Sequence, residues 1–474
     1  MNQWIKKDFD ETNEIIKGKL RVEENFDILY RVFEIGGRKA CFYFIDGFTG
    51  GEVMEKIMDS LLKVTKQDMP DNIHDFAKKK MPYGEIEIMD DEEKFVKLVM
   101  AGMTGLYIEG YDRVLIFDIR NYPCRSVDEP ERDKTLRGSK DGFIETLVWN
   151  AALIRRRIRN VDLSMELYSV GRSSKTDVVV AYMKSRAEEK MVKEIIRRIQ
   201  KIKIDALTMS QESLLECLYQ HKWFNPFPKF KFTERPDTTA ACLLEGSIVI
   251  LVDNSPSAMI IPTSVFDIIE TADDYYFPPI TGTYLRLSRF IINFLAVVLT
   301  PLFLLLMSKP EWVPESMKYI LIKDPINVPI ILQFLILEFA IDGLRLASVS
   351  TPSMLNTPLS VVAGIVLGDY SVSSGWFNSE IMLYMAFVAV ANYTQNNFEL
   401  GYALKFMRLI LLIVTHFFGI YGFIGGLLFI GVSIVSNKTI LGKSYIYPLI
   451  PFDFKQLARR FFRVSLPKDE QARR

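Results

Sequence analysis

The sequence has few histidines and cysteines, and it contains none of the short motifs that mark common enzyme sites. No HExxH, GxSxG or GxxxxGK[ST] pattern occurs, so neither a zinc-protease helix, a serine nucleophile nor a phosphate loop is predicted. The three histidines lie far apart, at His74, His221 and His416. The four cysteines form no CxxC pair: Cys41, Cys124, Cys217 and Cys242. We therefore expect reduced, buried thiols and no enzyme activity, cofactor or metal site.

An excess of charge of one sign is also absent, because 58 Lys and Arg residues balance 58 Asp and Glu residues. This balance gives no reason to expect a nucleic-acid partner. Long apolar runs are missing from residues 1–280, which resemble an ordinary charged globular region, and occur after Phe290. The N-terminus carries acids and has no apolar segment or small-residue cleavage site, so a signal peptide is not expected.

The globular part is predicted to form two α+β lobes, residues 1–140 and 141–280, because prolines and a dense charge run interrupt the pattern near 120–140. In the first lobe we predict paired strands at 26–33 and 38–47, helices at 52–64 and 91–100, and a hairpin at 105–119. In the second lobe we predict helices at 142–160 and 188–202, strands at 165–170, 176–183 and 204–208, and a hairpin at 242–253. The arginine run at 155–159 is expected to be a solvated helix end that pairs with nearby acids, with an anionic lipid or phosphate site as the alternative.

Residues 281–440 are predicted to form an all-α, multi-pass membrane domain. The run 290–307 is close to the roughly 20 residues that cross about 30 Å of hydrocarbon, and further apolar runs lie at 326–342, 381–397 and 404–435. The last run is too long for one crossing, and its glycines are expected to break, tilt or pack it: Gly419, Gly422, Gly425 and Gly426. The run within 354–370 is too short for a lipid-facing span, so we expect it to re-enter the membrane or to line a cavity.

Charge outside the apolar runs predicts the orientation of the membrane domain. The tail, residues 441–474, has eight basic residues against three acids, which places it in the cytoplasm, and Arg286 and Arg289 place the start of the first span there too. If both ends of the membrane domain lie in the cytoplasm, the chain must cross the membrane an even number of times. Four crossings result if 354–370 is re-entrant, and six result if it crosses and 404–435 folds back. Cytoplasmic positions for Lys405 and Arg408 favour six, whereas the short runs favour four.

Several strings carry a family resemblance. TERPD (233–237) precedes LLEGSIVILVD (243–253), IIPTSVFD (260–267) and DDYY (273–276), and the string SYIYPLIPFD (444–453) follows near the end. In this order they resemble the A subunit of the spore germination receptors, the GerA family, from about residue 25 to about residue 460. The resemblance implies a two-lobed cytoplasmic domain, a helical membrane domain and a short cytoplasmic tail, located in the inner membrane of a spore.

The resemblance also implies partners and a role. The A subunit is expected to work with a transporter-like B subunit, generally taken as the nutrient binder, and with a lipoprotein C subunit. It is thought to self-associate in a ring around an ion-conducting path that triggers germination. This chain departs from the family pattern where Ala340, Ile341 and Asp342 precede Gly343 in place of a usual Arg-Glu pair. The resemblance therefore transfers no role to a single charge in 338–345.

Two carboxylates in the second span are candidate pore residues. Glu338 and Asp342 lie four residues apart, so they share one face of a helix. In one interpretation they face a water-filled path, and repetition around an oligomer builds an acidic ring that attracts cations. In the other, Asp342 pairs with Arg345 at the membrane surface and Glu338 contacts a neighbouring helix. The residues alone leave both interpretations open.

The apolar run within 354–370, called the short run below, contributes the remaining candidates for a pore or gate: Val362, Gly364, Ile365 and Gly368. Its small and apolar residues suit either close helix packing or a hydrophobic gate that opens by wetting. We expect a receptor subunit that forms a nutrient-gated cation channel and contacts membrane lipid. The alternative is a non-conducting scaffold that organises the B subunit.

Overall fold

A computed structural model describes residues 4–6, 8–81, 84–121, 135–219, 225–350, 364–395, 397–440 and 442–464. The chain forms two compact units. The first comprises Met1–His221 and Phe232–Pro262, and the second comprises Lys222–Lys231 and Thr263–Arg474. The first unit contains two sheets with covering helices, and the second contains apolar helices. This confirms the predicted α+β region followed by a helical region.

The first sheet has five antiparallel strands in the order β1-β2-β4-β5-β3. The strands are β1 (Ile28–Ile35), β2 (Arg38–Ile45), β3 (Ile86–Met89), β4 (Thr104–Ile108) and β5 (Val114–Phe117). The helices of this lobe are α1 (Phe9–Leu20), α2 (Gly51–Leu62), α3 (Ile73–Lys80) and α4 (Glu92–Met100). The predicted strand pair, hairpin and two helices are confirmed, and α1, α3 and β3 are additional.

Alternating side chains of β2 pack into two separate hydrophobic cores, one on each face of the sheet. Cys41 and Tyr43 pack with residues of α1 and α4, whereas Ala40 and Phe42 pack with residues of α2 and α3. This follows from the two-residue period of a strand, which places successive side chains on opposite faces. Burial on both faces leaves every residue of β4 and β5 buried, and β5 is apolar throughout.

The second sheet also has five strands, in the order β6-β7-β9-β10-β8. The strands are β6 (Leu163–Val170), β7 (Thr176–Met183), β8 (Lys231–Thr233), β9 (Ile248–Val252) and β10 (Ala258–Ile261). The helices are α5 (Leu147–Arg157), α6 (Glu189–Gln200), α7 (Ser210–Leu218) and α8 (Pro236–Leu244). One core joins α5 and α8 to the inner strands of this sheet.

A buried arginine joins the two lobes. Arg155, near the end of α5, is fully buried, and its Nε and Nη2 donate to the two carboxylate oxygens of Asp27 at 2.8 Å each. The same guanidinium donates to the side chain of Asn25 and to the carbonyl of Leu163. The expectation of pairing with acids is confirmed here, but the expectation of a solvated helix end is wrong for Arg155. Such a charge is buried because a bidentate partner and further acceptors satisfy its donors.

Three other predictions for this unit are wrong. Residues 204–208 form no strand, because the carbonyls of 204 and 205 accept from the loop amides of Arg172 and Ser173 instead of a neighbouring strand. Residues 242–244 end α8, which begins at Pro236, so the hairpin pairs β9 with β10 instead. Cys217 is exposed and Cys242 only partly buried, whereas Cys41 is buried as expected. Cys124 lies outside the described residues.

The second unit is built from helices. They are α9 (Val265–Ile269), α10 (Asp273–Tyr276), α11 (Pro279–Ser308), α12 (Ile330–Ser350), α13 (Ser379–Tyr393), α14 (Phe398–Val435) and α15 (Phe454–Phe461), with a π-helix at Gly364–Tyr370. In the described part, α11 and α14 are long and apolar enough to cross a membrane by length and composition. Helix α12 carries three charges along its length, at Glu338, Asp342 and Arg345.

Helix α14 is broken within its glycine-rich part, as predicted. Gly419 has φ 57° and ψ −132°, a backbone conformation outside the helical range. The chain folds back there, so that Gly422 lies against the carbonyl of Val414 and Gly426 lies against Leu411. The two arms of the hairpin approach closely because these glycines have no side chain. The number of membrane crossings stays a prediction.

The helices of this unit expose apolar side chains and bury polar ones. Large apolar residues between 62 % and 82 % exposed lie on four helices: Phe294, Phe339, Leu383, Phe417 and Leu428. Polar residues are buried between the helices: Asn293, Thr300, Gln333, Glu338, Lys405 and Arg408. A water-soluble protein shows the opposite arrangement, so the exposed surface of these helices suits an apolar surrounding.

Candidate functional site

Two ion pairs join α12 to α14 in the interior of the helical unit. The Oε1 atom of Glu338 accepts a hydrogen bond from Nε of Arg408 at 2.7 Å, and its Oε2 lies 3.5 Å from Nζ of Lys405. Glu338 is 4 % exposed and Arg408 is fully buried. Lys405 and Arg408 are three residues apart on α14, so both reach the same face of α12.

Asp342 completes the cluster one helical turn away. Its carboxylate pairs with Lys405, which also donates to the carbonyl of Glu338 at 3.2 Å. Arg408 donates to the carbonyl of Ala296 on α11 at 2.9 Å, so the cluster touches three helices. We call Glu338, Asp342, Lys405 and Arg408 the charged cluster. Its two negative and two positive charges balance, as burial between apolar helices requires.

This geometry favours the interpretation in which Glu338 contacts a neighbouring helix. A cation-attracting ring needs negative charge that is free to face water, and Glu338 is buried against two cations of its own chain. The predicted pairing of Asp342 with Arg345 is wrong among the described residues, because Asp342 pairs with Lys405. The guanidinium of Arg345 lies instead over the rings of Phe398 and Tyr402, at 4.7 and 5.1 Å.

Sequence reasoning missed the two cations of the cluster. It treated Lys405 and Arg408 as signals of cytoplasmic orientation, whereas both are buried. A signal was available: one apolar run holds two carboxylates four residues apart, and another holds two cations three residues apart. Isolated charges in apolar helices must find partners, and complementary spacing on two helices predicts that they pair with each other.

The described part of the short run, unlike the charged cluster, contains an exposed side chain, that of Ile365. Val362 lies outside the described residues, and Gly364–Tyr370 forms the π-helix. Ile365 is 44 % exposed, and an added Cβ at Gly364 or Gly368 would meet no atom within 4 Å. In the described part, therefore, neither glycine marks a close contact between helices. No hydrogen bond or ion pair among the described residues joins the short run to the charged cluster.

Amide side chains fix the helices around the cluster. Gln333 on α12 and Asn378 before α13 exchange two hydrogen bonds of 2.9 Å. Asn293 on α11 accepts from Gln395, so it faces protein, as its position in an apolar span leads one to expect. Within the described ranges, no group of three His, Cys, Asp or Glu side chains is placed to hold a metal ion. The arrangement can hold helices in register and neutralise buried charge.

Comparison with known proteins assigns the chain to a family. The profile described as "Bacillus/Clostridium GerA spore germination protein" matches residues 14–474. Stage V sporulation protein AF of Bacillus subtilis (strain 168) is 32% identical over 96% of this chain and 92% of its own length. Spore germination protein KA of the same organism is 27% identical over 96% of this chain and 85% of its own length.

A solved structure is similar to part of the chain. The N-terminal domain of the A subunit of the Bacillus megaterium spore germinant receptor GerK3 is 30% identical to it. That likeness covers 54% of this chain and 96% of the other, with a TM-score of 0.41. The family profile, in contrast, extends over nearly the whole sequence and includes both units. The protein therefore belongs to the Bacillus/Clostridium GerA family of spore germination proteins.

Proposed function

We propose that this chain is the A subunit of a nutrient-sensing spore germination receptor, and that several copies form a nutrient-gated cation channel. The family match and the relatives named as spore germination proteins support a role in germination. In this proposal the chain works with a transporter-like B subunit, a lipoprotein C subunit and further copies of itself.

The proposed location is the inner membrane of the spore, with both termini in the cytoplasm. The exposed apolar side chains of the helices support a location in a membrane. The C-terminal helix α15 packs beside the start of α11, where the ring centroids of Phe461 and Phe290 are 4.9 Å apart. This contact supports the proposal that both ends of the membrane domain lie on the same side of the membrane. The fold-back at Gly419 supports six crossings over four.

One observation carries the proposal of conduction: in the described part of the short run, Gly364–Tyr370, Ile365 is exposed within its own chain. Ile365 is half-exposed, and the positions beside Gly364 and Gly368 are open among the described residues. An apolar segment with irregular helical backbone is tolerated at membrane depth only where protein or a water-filled cavity covers it. A ring of copies around a shared axis provides such cover and makes the run the narrow part of a path.

Potassium flux from vesicles tests this proposal. The full chain, alone and co-purified with its B and C subunits, is reconstituted into vesicles loaded with potassium. We expect I365A to raise the nutrient-independent leak at least about tenfold, because the lost apolar contact is worth about 2 kcal/mol. I291A is the matched control, since Ile291 is also an exposed isoleucine of an apolar helix. Conduction is contradicted if neither preparation passes potassium, or if both variants leak equally.

A scaffold without a pore is the second candidate function. The neutral charged cluster favours it, because the two carboxylates supply no free negative charge to a path. If the chain is a scaffold, it should still retain the B subunit during purification, and vesicles that contain any of the variants should not leak potassium. The flux measurement and the co-purification together separate the two functions.

A further inference from the structure

The chain between α14 and α15 exposes a group of large apolar side chains. Five of them are between 39 % and 73 % exposed: Tyr447, Leu449, Ile450, Phe452 and Phe454. They fall within eight consecutive residues, 447–454, which we call the apolar segment. Such a concentration of exposed apolar side chains marks a surface that contacts a membrane or another protein.

Helix α15 continues this apolar surface along one of its faces. Its apolar residues recur at three- and four-residue spacing: Phe454, Leu457, Ala458 and Phe461. Its polar residues occupy the remaining positions: Lys455, Gln456, Arg459 and Arg460. No residue of the helix is buried. One apolar and one basic face are typical of a helix that lies in the plane of a membrane surface.

The apolar face of α15 meets α11 close to the lipid-facing surface proposed for that helix. The ring centroids of Phe461 and Phe290 are 4.9 Å apart. Ile291 and Phe294, which follow on α11, are 58 % and 62 % exposed. The exposed apolar side chains of α15 and α11 are therefore neighbours, and one apolar surrounding can cover both.

Hydrogen bonds hold α15 beside the first turns of α11. Nη1 of Arg286 donates to the carbonyl of Arg459 at 2.9 Å. The backbone amide of Arg463 donates to the hydroxyl of Thr283 at 3.1 Å. These residues of α11 precede its long apolar run, so α15 lies at the level of the lipid headgroups if α11 crosses the membrane.

The charge near α15 favours anionic lipid over a second copy of the same surface. Residues 454–464 contain four basic residues and no acidic one: Lys455, Arg459, Arg460 and Arg463. Arg460 pairs with Asp267 and Glu270 of its own chain, which compensates part of this charge. Two such basic surfaces repel each other, whereas anionic headgroups attract them.

We propose that the apolar segment and α15 form an in-plane anchor in a membrane surface that contains anionic phospholipid. The exposed apolar side chains lie among the outer parts of the acyl chains, and the basic face of α15 lies among the headgroups. This inference rests on the proposed membrane location and is independent of conduction. Because α15 contacts the start of α11, the anchor fixes the depth at which α11 enters the membrane.

Quenching of tryptophan fluorescence by brominated lipid tests this anchor. The full chain is reconstituted into vesicles of phosphatidylcholine and phosphatidylglycerol that are brominated near the headgroup end of their acyl chains. Emission of the native tryptophans is measured on the wild type and subtracted. We expect the added emission of F454W to be quenched, because Phe454 is exposed on the apolar face of α15.

Two variants are matched controls for F454W. F294W reports whether the helices are in the membrane, since Phe294 is an exposed phenylalanine of α11. Y30W reports an exposed aromatic position of the globular unit, since Tyr30 is 44 % exposed on β1, and its emission should not be quenched.

The contribution of anionic lipid is measured by brominating one lipid at a time, at equal mole fraction. We expect brominated phosphatidylglycerol to quench F454W at least about twofold more than brominated phosphatidylcholine, because the basic face enriches anionic lipid around α15. F294W lies within the apolar run of α11 and should be quenched equally by the two lipids.

The outcomes separate this inference from the membrane location on which it rests. The anchor is overturned if F294W is quenched while F454W behaves like Y30W, or if the two brominated lipids quench F454W equally. Absence of quenching in F294W overturns the membrane location and the anchor together. If F454W does not fold, F452W takes its place, since Phe452 is 66 % exposed in the apolar segment.

Discussion

At the scale of single residues, the charged cluster explains how carboxylates persist in an apolar helix. Glu338 is buried beside the exposed ring of Phe339, so neighbouring positions on α12 face opposite environments. The buried carboxylate is tolerated because Arg408 and Lys405 neutralise it at short range. An ion pair of this kind adds little stability compared with apolar packing, but removal of one partner leaves an unpaired buried charge.

This argument predicts a large effect of E338Q. The substitution leaves Arg408 without its carboxylate while it stays fully buried, so we expect a loss of about 3–5 kcal/mol in the free energy of unfolding. The measurement is a denaturant titration of the purified chain in mixed micelles, followed by loss of helical signal.

D342N serves as the control for E338Q. The side chain of Asp342 is 32% exposed, so water partly replaces the lost interaction and the effect is expected to be clearly smaller. Equal stabilities for E338Q and D342N would show that the burial of Glu338 does not set the energetics of the cluster.

The residue scale also shows where prediction from sequence reaches its limit. Four-residue spacing placed Glu338 and Asp342 on one helical face, and the structure has them on one face. Their partners lie 63 to 70 residues further along the chain, and the spacing within one helix does not by itself identify the partner helix. Only comparison with the two cations three residues apart in the last apolar run points to it. The prediction that the arginine run is a solvated helix end was wrong for Arg155 for the same reason, because its partner Asp27 is 128 residues away.

At the scale of elements, the hairpin in α14 depends on one glycine. A run from Phe398 to Val435 would be too long for a single crossing, and the reversal at Gly419 resolves this with two shorter arms. The positive φ and strongly negative ψ at this residue are readily accessible to glycine alone, since a Cβ would clash with the backbone.

We predict that G419A destabilises the protein by about 1–3 kcal/mol, because alanine must occupy a strained backbone conformation at the reversal. Thermal unfolding in detergent measures the change. G425A is the matched control: Gly425 has no neighbouring atom within 4 Å of an added Cβ, and its φ is not positive. It should be neutral or slightly stabilising. A G419A protein as stable as G425A would contradict a tight reversal at this position.

At the scale of the whole helical unit, ion pairs join segments that lie far apart in sequence. Glu270 pairs with Arg286 at the start of α11 and with Arg460 of the C-terminal helix, 190 residues away. Burial raises the pKa of Glu270, but the charges of Arg286 and Arg460 outweigh burial and hold the pKa below its ordinary value of 4.5. The carboxylate therefore stabilises the folded arrangement in its charged form.

This depressed pKa predicts the pH at which the C-terminal helix is released. Its contribution is present above pH 4.5 and is lost as the pH falls through the lower folded value, because the folded state must then take up a proton. Hydrogen-exchange protection of residues 454–461, measured from pH 7 downward, should fall below pH 4.5.

E270Q should lower the protection of residues 454–461 already at pH 7 and flatten its dependence on pH. E315Q is the control, since Glu315 is 92% exposed and, among the described residues, its ion-pair partner is the neighbouring Lys318. A pH profile of E270Q that matches the wild type would show that another group holds the helix.

The sequence alone determined the order of an α+β region and apolar helices, most strands and helices, and a break among the glycines of the last run. These features follow from short-range periodicity, backbone preference and length, which neighbouring residues carry. Only the tertiary structure decided that Arg408 neutralises Glu338, that Arg155 joins the two lobes, and that the guanidinium of Arg345 lies over aromatic rings of α14. Each depends on which distant elements pack together, and the residue pattern within one element does not show this.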